Sequence, residues 1–301
     1  MAENPFDPVT LSKIANMELR ARLIVDGVLS GIHKSPYTGS SIEFLEHKEY
    51  SPGNEIKHVD WKVLAKTDKY YVKQFEEETN LRCYLFLDAS GSMGYQSKGI
   101  SKFEYAATLA ASLSYLFLKQ SDLVGLICFS DRVLHYVPPR SRVTHLHTLL
   151  NVLTELKTAG KSNISAVLNP FIEKISHRSL IIVLSDFFDH TEKILHQLQH
   201  FRFKRNEVIL FHILDPYELT FPFETVTFFE SMEDERHILA DPKSIKEHYL
   251  SGMNYFLGQF KQSCLENQID YWLIDSSTPL DQALIKFLAR RESSLRPARK
   301  T

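Results

Sequence analysis

The sequence lacks the features that mark membrane and secreted proteins. No apolar run approaches the roughly 20 residues that a membrane-spanning helix requires. Its first residues, Met-Ala-Glu-Asn-Pro-Phe-Asp, contain neither the basic stretch nor the apolar stretch of a secretion signal. There are only three cysteines, and Cys83 and Cys128 fall in apolar runs, which favours buried free thiols in a reducing compartment. We therefore expect a cytoplasmic protein with no transmembrane segment.

The sequence also has little excess of charge and none of the common nucleotide-binding motifs. A formal net charge of −2 over 301 residues gives no general attraction to nucleic acid or to an anionic membrane. There is no Walker loop and no Gly-x-Gly-x-x-Gly fingerprint. No Gly-x-Ser-x-Gly elbow surrounds Ser90 or Ser92. We expect no nucleic-acid partner, and these absences argue against a nucleotide-dependent enzyme or a serine hydrolase.

The thirteen histidines do not form a recognisable zinc motif. His196 and His200 are four residues apart on a predicted helix, with Glu192 one turn earlier. The order His-Glu-x-x-His, a cysteine pair and a third ligand are all missing from the sequence. This pattern favours a solvated helix face.

The most informative segment is residues 82–93, Arg-Cys-Tyr-Leu-Phe-Leu-Asp-Ala-Ser-Gly-Ser-Met. An apolar run typical of a strand ends at Asp88, and hydroxyls follow at Ser90 and Ser92. A carboxylate with hydroxyls two and four residues later can aim three oxygens at one point, and hard divalent cations such as Mg²⁺ prefer oxygen ligands. If Asp88 ends a parallel strand, such a cation lies at the carboxyl edge of the sheet, where open α/β folds bind ligands.

A second apolar run, at residues 179–186, also ends in a carboxylate, Asp186. Between the two runs, a glycine turn leads through Ser162 into a predicted helix. Neighbouring parallel strands would bring Asp88 and Asp186 together, and two carboxylates about 4 Å apart repel by roughly 1 kcal/mol in water and about 4 kcal/mol near a protein surface. A bound cation relieves that repulsion, so the pair argues for a metal. The alternative is two unrelated strand ends with solvated aspartates.

The rest of the chain predicts an α/β domain with a doubly wound, mostly parallel sheet and helices on both faces. We expect domains at residues 1–80 (a helical and β-rich N-terminal subdomain) and 81–290 (the α/β domain), then a basic, disordered tail at 291–301. Residues 216–240 interrupt the strand–helix rhythm and are interpreted as an insertion on the sheet edge. The predicted strands are 82–88, 123–129, 180–185, 207–213 and 270–274, with a short antiparallel strand at 132–137. The predicted helices are 101–119, 143–156, 164–175, 191–201, 243–266 and 279–290.

These oxygen-bearing residues resemble the metal-ion-dependent adhesion site of von Willebrand factor A domains. The matching positions are Asp88, Ser90, Ser92, Ser162 and Asp186, with Ser162 standing where that family usually has threonine. The resemblance implies that Ser90 and Ser92 ligate Mg²⁺ (or Mn²⁺) through their hydroxyls. It also implies that Asp88, Asp186 and Ser162 hold the ion directly or through water. One coordination position then stays open for an acidic side chain of a partner protein.

Upstream of this site, the chain also resembles a bacterial family of unknown function that places a preamble before an A-type domain. Members of that family are often encoded beside MoxR-type AAA+ ATPases, so the resemblance implies an adaptor for such an ATPase. Asn54 departs from the aspartate that the family favours, and Lys57 and Lys66 depart from arginine. The matching residues are Gly31, His33, Ser35, Gly39, Glu43, Phe44, Tyr50, Pro52, Gly53, Glu55, Asp60, Trp61, Ala65, Phe75, Glu76 and Glu78.

The sequence thus leads us to expect a metal-dependent protein-interaction module rather than an enzyme. Asn54, Asp60 and Trp61 are candidates for a partner-binding loop, although the pattern favours a packing role in which Trp61 holds the N-terminal subdomain against the sheet. Two alternatives stay open. One is a metal-dependent phosphohydrolase that uses Asp88 and Asp186, and the other is a metal-free scaffold.

Overall fold

The computed structural model describes residues 6–33, 47–49, 71–73 and 81–295. Its strands, in chain order, are β1 (His47–Glu49), β2 (Tyr71–Lys73), β3 (Arg82–Asp88), β4 (Leu123–Phe129), β5 (Val133–Arg140), β6 (Leu180–Ser185), β7 (Glu207–Leu214), β8 (Thr227–Glu230), β9 (His237–Ala240) and β10 (Asp270–Asp275). The α-helices are Pro8–Ser12, Met17–His33, Lys102–Lys119, His145–Glu155, Ile164–Lys174, Thr191–Phe203, Pro216–Thr220, Pro242–Glu266 and Leu280–Leu295.

Six of these strands form one sheet in the order β10-β7-β6-β3-β4-β5. Neighbours run parallel except for β4 and β5, which are antiparallel. After β3 the chain adds β4 and β5 on one side and then returns to add β6, β7 and β10 on the other. This reversal between β3 and β6 is the point where doubly wound sheets form a ligand-binding crevice. The predicted fold class is confirmed.

Strand composition follows position in the sheet. The central strands β3 and β6 are nearly continuous apolar runs and are buried along their length, as parallel strands covered on both faces require. The edge strand β5 is mostly exposed and contains Pro138 and Pro139, which lack the amide hydrogens that a central strand needs. The predicted antiparallel strand at 132–137 is confirmed by the pairing of β5 with β4, and it extends to Arg140.

The core on one side of the sheet is built around Phe86 of β3. Its ring meets that of Phe171 edge-to-face at a centroid distance of 5.3 Å. Phe171 belongs to the helix Ile164–Lys174, whose apolar side chains join the same buried cluster. This packing fixes the helix that follows Ser162 against the strand that carries Asp88.

The chain divides into two compact units, one formed by Met1–Leu29 with Leu81–Thr301 and the other by Ser30–Asn80. The predicted boundary at residue 80 coincides with the end of the second unit, but the prediction grouped residues 1–29 with that unit. The first helices belong with the α/β unit because they bury apolar side chains there, and Arg20 forms an ion pair of 3.1 Å with Glu104. In the second unit, β1 and β2 pair antiparallel.

Residues 216–240, predicted as an insertion, fold into the short helix Pro216–Thr220 and an antiparallel hairpin of β8 and β9. The hairpin forms a separate two-stranded sheet. The predicted partner-binding residues Asn54, Asp60 and Trp61 lie outside the described residues. No helix within the described ranges is long and apolar enough to cross a membrane.

Candidate metal centre

The two predicted carboxylates lie side by side at the carboxyl end of the sheet, at its point of reversal. Asp88 is the last residue of β3, and Asp186 directly follows β6. The register pairs Leu87 with Leu184, so β3 and β6 end at the same level of the sheet. Both aspartates are completely buried. Two acidic side chains thus lie side by side without contact with bulk water.

The loop after β3 directs its hydroxyls toward these carboxylates. The Ser90 amide donates to Asp88 Oδ1 at 2.9 Å, which closes a tight turn before the 3₁₀ segment Gly91–Gly94. The Ser90 and Ser92 hydroxyl oxygens lie 3.2 Å apart. Asp186 in turn lies within reach of the Ser92 hydroxyl. The alternation of Ser90 and Ser92 therefore brings both hydroxyls to the same place.

The loop before the helix Ile164–Lys174 is hydrogen-bonded along the loop after β3. Backbone bonds join Ala159 to Ala89 at 2.9 Å and Gly91 to Gly160 at 2.8 Å. Gly160 has a φ of +77°, a conformation that favours glycine. The turn that it allows brings the Ser162 hydroxyl to 3.1 Å from Asp88 Oδ2.

All five residues predicted to hold the metal are therefore brought together: Asp88, Ser90, Ser92, Ser162 and Asp186. Sequence reasoning missed Ser185, whose hydroxyl donates to Asp88 Oδ2 at 2.6 Å. It lies one residue before Asp186 at the end of β6, and no motif distinguishes it from an ordinary strand residue.

Sequence reasoning also missed an internal cation. Lys102 is fully buried, and its Nζ lies 2.8 Å from Asp186 Oδ2 and 2.6 Å from Glu218 Oε1. Lysine is almost never fully buried unless it is paired. As the first residue of an amphipathic helix, Lys102 looks in the sequence like an ordinary solvated lysine.

Another carboxylate that the sequence did not predict comes from the turn between β8 and β9. Glu233 lies near the Ser92 hydroxyl and the Ser162 backbone amide. Its Oε1 atom is buried and has no hydrogen-bond partner among the described residues. The sequence shows Glu233 only as part of an acidic run in a predicted insertion.

The surroundings of the two aspartates shift their pKa values in opposite directions. Burial raises the pKa of Asp88 well above its ordinary value, and the neighbouring Asp186 raises it further. Burial by itself would also raise the pKa of Asp186, but the Lys102 ammonium lowers that pKa below its ordinary value. Although burial by itself lowers the pKa of Lys102, Asp186 and Glu218 raise it above its usual range. Lys102 therefore compensates Asp186, and among the described residues Asp88 has no ion-pair partner of its own.

The donor set suits a hard divalent cation. Asp88, Asp186, Glu218 and Glu233 contribute four carboxylates, and the facing cations are the Lys102 ammonium and the Arg236 guanidinium beside Glu233. A dication would therefore improve the local balance of charge. Within the described ranges, no group of three or more His, Cys, Asp or Glu residues could hold an ion by itself. A metal bound here would therefore need the serine hydroxyls as ligands, and Glu233 Oε1, which has no hydrogen-bond partner among the described residues, would offer a further oxygen.

The histidine pair considered from the sequence forms no such site. His196 and His200 are exposed on the helix Thr191–Phe203, with ring centroids 4.7 Å apart. They belong to no metal-binding group in the part of the chain that the structure describes. The prediction of a solvated helix face is confirmed.

The sheet order, the antiparallel strand β5 and the loops at the carboxyl edge define the fold as the von Willebrand factor A type. The chain belongs to the family described as "Protein of unknown function DUF58", whose model matches residues 46–253.

The chain is similar to an uncharacterized protein of Mycobacterium bovis, with 24% identity over 221 residues that span 72% of this chain and 68% of that protein. Among solved structures, it is similar to the conserved hypothetical protein BatB of Bacteroides thetaiotaomicron. That match has a TM-score of 0.50 and 16% identity, and it covers 71% of this chain and 99% of the other. The VWA domain of SpRpn10 matches with a TM-score of 0.40 and 10% identity, over 68% of this chain and 94% of that domain.

Proposed function

We propose that this protein is a metal-dependent protein-interaction module rather than an enzyme. Asp88, Ser90, Ser92, Ser162 and Asp186 would hold Mg²⁺ or Mn²⁺, and a partner protein would contribute an aspartate or glutamate to the remaining coordination position. The observation that carries this proposal is the convergence of these hydroxyls and carboxylates where the sheet order reverses. When bound, the ion would supply a positive centre that attracts an incoming carboxylate.

The surrounding residues act by holding the site in shape. Ser162 and Ser185 both donate to Asp88 Oδ2 and fix the orientation of its carboxylate. Lys102 holds Asp186 in its ionised form. Removing an orienting contact of this kind typically lowers metal affinity by about 10–100-fold.

A phosphohydrolase is a weaker candidate because Asp88 is poorly placed for attack. Its side chain is fully buried, and its two oxygens already accept hydrogen bonds from the Ser90 amide, the Ser162 hydroxyl and the Ser185 hydroxyl. Position 90, where a phosphotransferase of this type would use a second carboxylate, holds a serine. These features suit a residue that supports a metal rather than a nucleophile.

The partner that we propose is a MoxR-type AAA+ ATPase, for which the module would act as an adaptor in complex assembly or maturation. The support for this step is the resemblance given in the sequence analysis, in which members of the family are often encoded beside such ATPases. A purified MoxR-type ATPase from the same organism, immobilised and exposed to the protein, tests it. We expect binding in Mg²⁺ that is lost in a chelator.

The metal site itself is tested by calorimetric titration of metal-depleted protein with Mg²⁺ and Mn²⁺. We expect saturable binding that disappears in Asp88→Ala and Asp186→Ala. Asp131→Ala is the matched control, because Asp131 also follows a sheet strand at this edge but is exposed. Absence of binding in the wild type would favour the metal-free scaffold, whereas turnover of phosphate esters lost in Asp88→Asn would favour the phosphohydrolase.

A further inference from the structure

The tip of the β8–β9 hairpin, residues 231–236, rests on the loop that carries Ser90 and Ser92. A methyl group at Gly91 would overlap the carbonyl oxygen of Met232, and one at Gly94 would contact the Met232 side chain at 3.4 Å. The tip and the loop therefore pack backbone to backbone. Gly91 is therefore needed for the space that a side chain would take up. Its backbone conformation is one that any residue can adopt, since its φ lies outside the positive range.

The hairpin is held in this position from two sides. At its base, Phe229 packs against Phe221 with a centroid distance of 5.8 Å and against Phe223 at 5.2 Å. At its tip, Asp234 forms an ion pair of 3.3 Å with Lys161, a neighbour of Ser162. Both ends of the hairpin are thus fixed relative to the candidate metal centre.

The hydrogen bonds within the tip direct the Glu233 side chain toward the candidate metal centre. The Ser231 hydroxyl accepts hydrogen bonds from the amides of Glu233 and Asp234, each at 3.3 Å. Asp234 turns outward to Lys161 and Arg236, while Glu233 shares a cavity of about 230 Å³ with Ser92 and Glu218. Its Oε1 atom has no hydrogen-bond partner among the described residues although water cannot reach it. A buried carboxylate oxygen without a partner is costly, and a metal ion beside Ser92 would satisfy it.

We infer that Glu233 is an internal ligand, which occupies the coordination position that we assign to the partner's carboxylate. This inference rests on the proposed function, because it requires a metal at the five residues named above. The hairpin then caps the site, and a partner's acidic side chain must displace Glu233 to bind. An internal competitor acts at the high effective concentration of a tethered group, so a free carboxylate alone competes poorly.

The test compares Glu233→Gln with Glu235→Gln, since Glu235 lies two residues away in the same tip and is exposed. The probe is a blocked Gly-Glu-Gly peptide, with Gly-Gln-Gly as its neutral counterpart, titrated into protein saturated with Mn²⁺. We expect Glu233→Gln to bind the acidic peptide about tenfold or more tightly than either the wild type or Glu235→Gln. The neutral peptide should bind none of them.

A second variant displaces the cap without changing any proposed ligand. Gly91→Ala places a methyl group against the Met232 carbonyl, so the tip must move away from the loop. We expect Gly91→Ala to gain affinity for the acidic peptide as Glu233→Gln does. Hydrogen exchange of residues 231–236 supplies a readout without the peptide, because Mn²⁺ should slow exchange there in the wild type and in Glu235→Gln but not in Glu233→Gln.

The outcomes separate the inference from the proposed function. If the wild type binds Mn²⁺ and Asp88→Ala does not, but Glu233→Gln matches Glu235→Gln in peptide affinity and in exchange, Glu233 is no ligand and only the inference is overturned. If neither the wild type nor Glu235→Gln binds Mn²⁺, the proposed function is overturned and the inference with it.

Discussion

The Lys102 ammonium lies 2.8 Å from the Asp186 carboxylate, and both side chains are buried. Glu218 completes the group at 2.6 Å from the same nitrogen. The lysine thus serves as a fixed internal counter-charge beside the candidate metal centre. Its position compensates Asp186 but not Asp88 on the neighbouring strand, whose pKa is raised by burial and by Asp186.

Replacing Lys102 by methionine should destabilise the protein strongly. The variant leaves two buried carboxylates without their ammonium, and breaking a buried ion pair from one side costs about 3–5 kcal/mol. Urea unfolding in a chelator measures the loss. Because the removed charge makes the site more negative, we expect Mn²⁺ to restore part of the stability.

Lys119→Met is the control for that prediction. Lys119 forms an ion pair with Asp26 at a similar distance, 2.8 Å, but both partners are exposed. Exposed pairs contribute little, so unfolding should barely change. An equal loss of stability in the two variants would contradict the role of Lys102 as a buried counter-charge.

The Ser162 hydroxyl can be tested by its removal and by its conservative replacement. Ser162→Ala should weaken Mn²⁺ binding by about 10–100-fold, because contacts that orient metal ligands have effects of this size. Ser162→Thr keeps the oxygen and should retain binding. Isothermal titration gives the affinities, with Ser165→Ala as control, since that hydroxyl lies in the first turn of the following helix and bonds Asn163 at 3.3 Å. Full Mn²⁺ affinity in Ser162→Ala would remove Ser162 from the site.

The packing of Phe86 should dominate the stability of the sheet. Phe86 is fully buried and packs edge-to-face on Phe171, so Phe86→Ala should lower the free energy of unfolding by about 3–5 kcal/mol. Phe203→Ala is the control, since that ring is 82% exposed. Urea denaturation compares them, and a small effect at Phe86 would show that the neighbouring side chains collapse into the space.

His145 should make the fold sensitive to mild acid. Its Nε2 bonds the Val124 carbonyl at 2.9 Å, and burial lowers its pKa below the ordinary value. Below about pH 6.5 the unfolded chain therefore binds more protons than the folded one, and stability is lost as the pH falls. His145→Gln keeps a donor for Val124 and removes the titration. Its stability relative to the wild type should rise between pH 7 and pH 5 in urea unfolding, and a constant difference would contradict the prediction.

The sheet and the five converging residues were predictable because each depends on a local pattern. Apolar runs that end in Asp88 and Asp186 read directly as buried parallel strands, and the spacing of Ser90 and Ser92 places both hydroxyls on one loop. Ser162 needed only a glycine turn before a helix. Their roles as metal ligands stay a prediction.

The rest of the site depends on tertiary contacts that have no local signature. Lys102 begins a helix as many exposed lysines do, and only the packing of its neighbours buries it. Glu218 and Glu233 lie in a segment rich in proline and aromatic residues, whose hairpin pairing the sequence did not predict. The inward direction of Glu233 follows from the backbone contact between Met232 and Gly91, which no periodicity records.

The pairing of β3 with β6 joins parts of the chain that are far apart, since the Ser185 hydroxyl reaches a carboxylate 97 residues earlier. An unfolded chain holds these oxygens nowhere near one another, so an ion that binds them binds the native state alone. At a hundred times its dissociation constant, such an ion adds about 2.7 kcal/mol to the free energy of unfolding. The concentration of divalent metal would then set the melting temperature of the protein, even before any partner arrives.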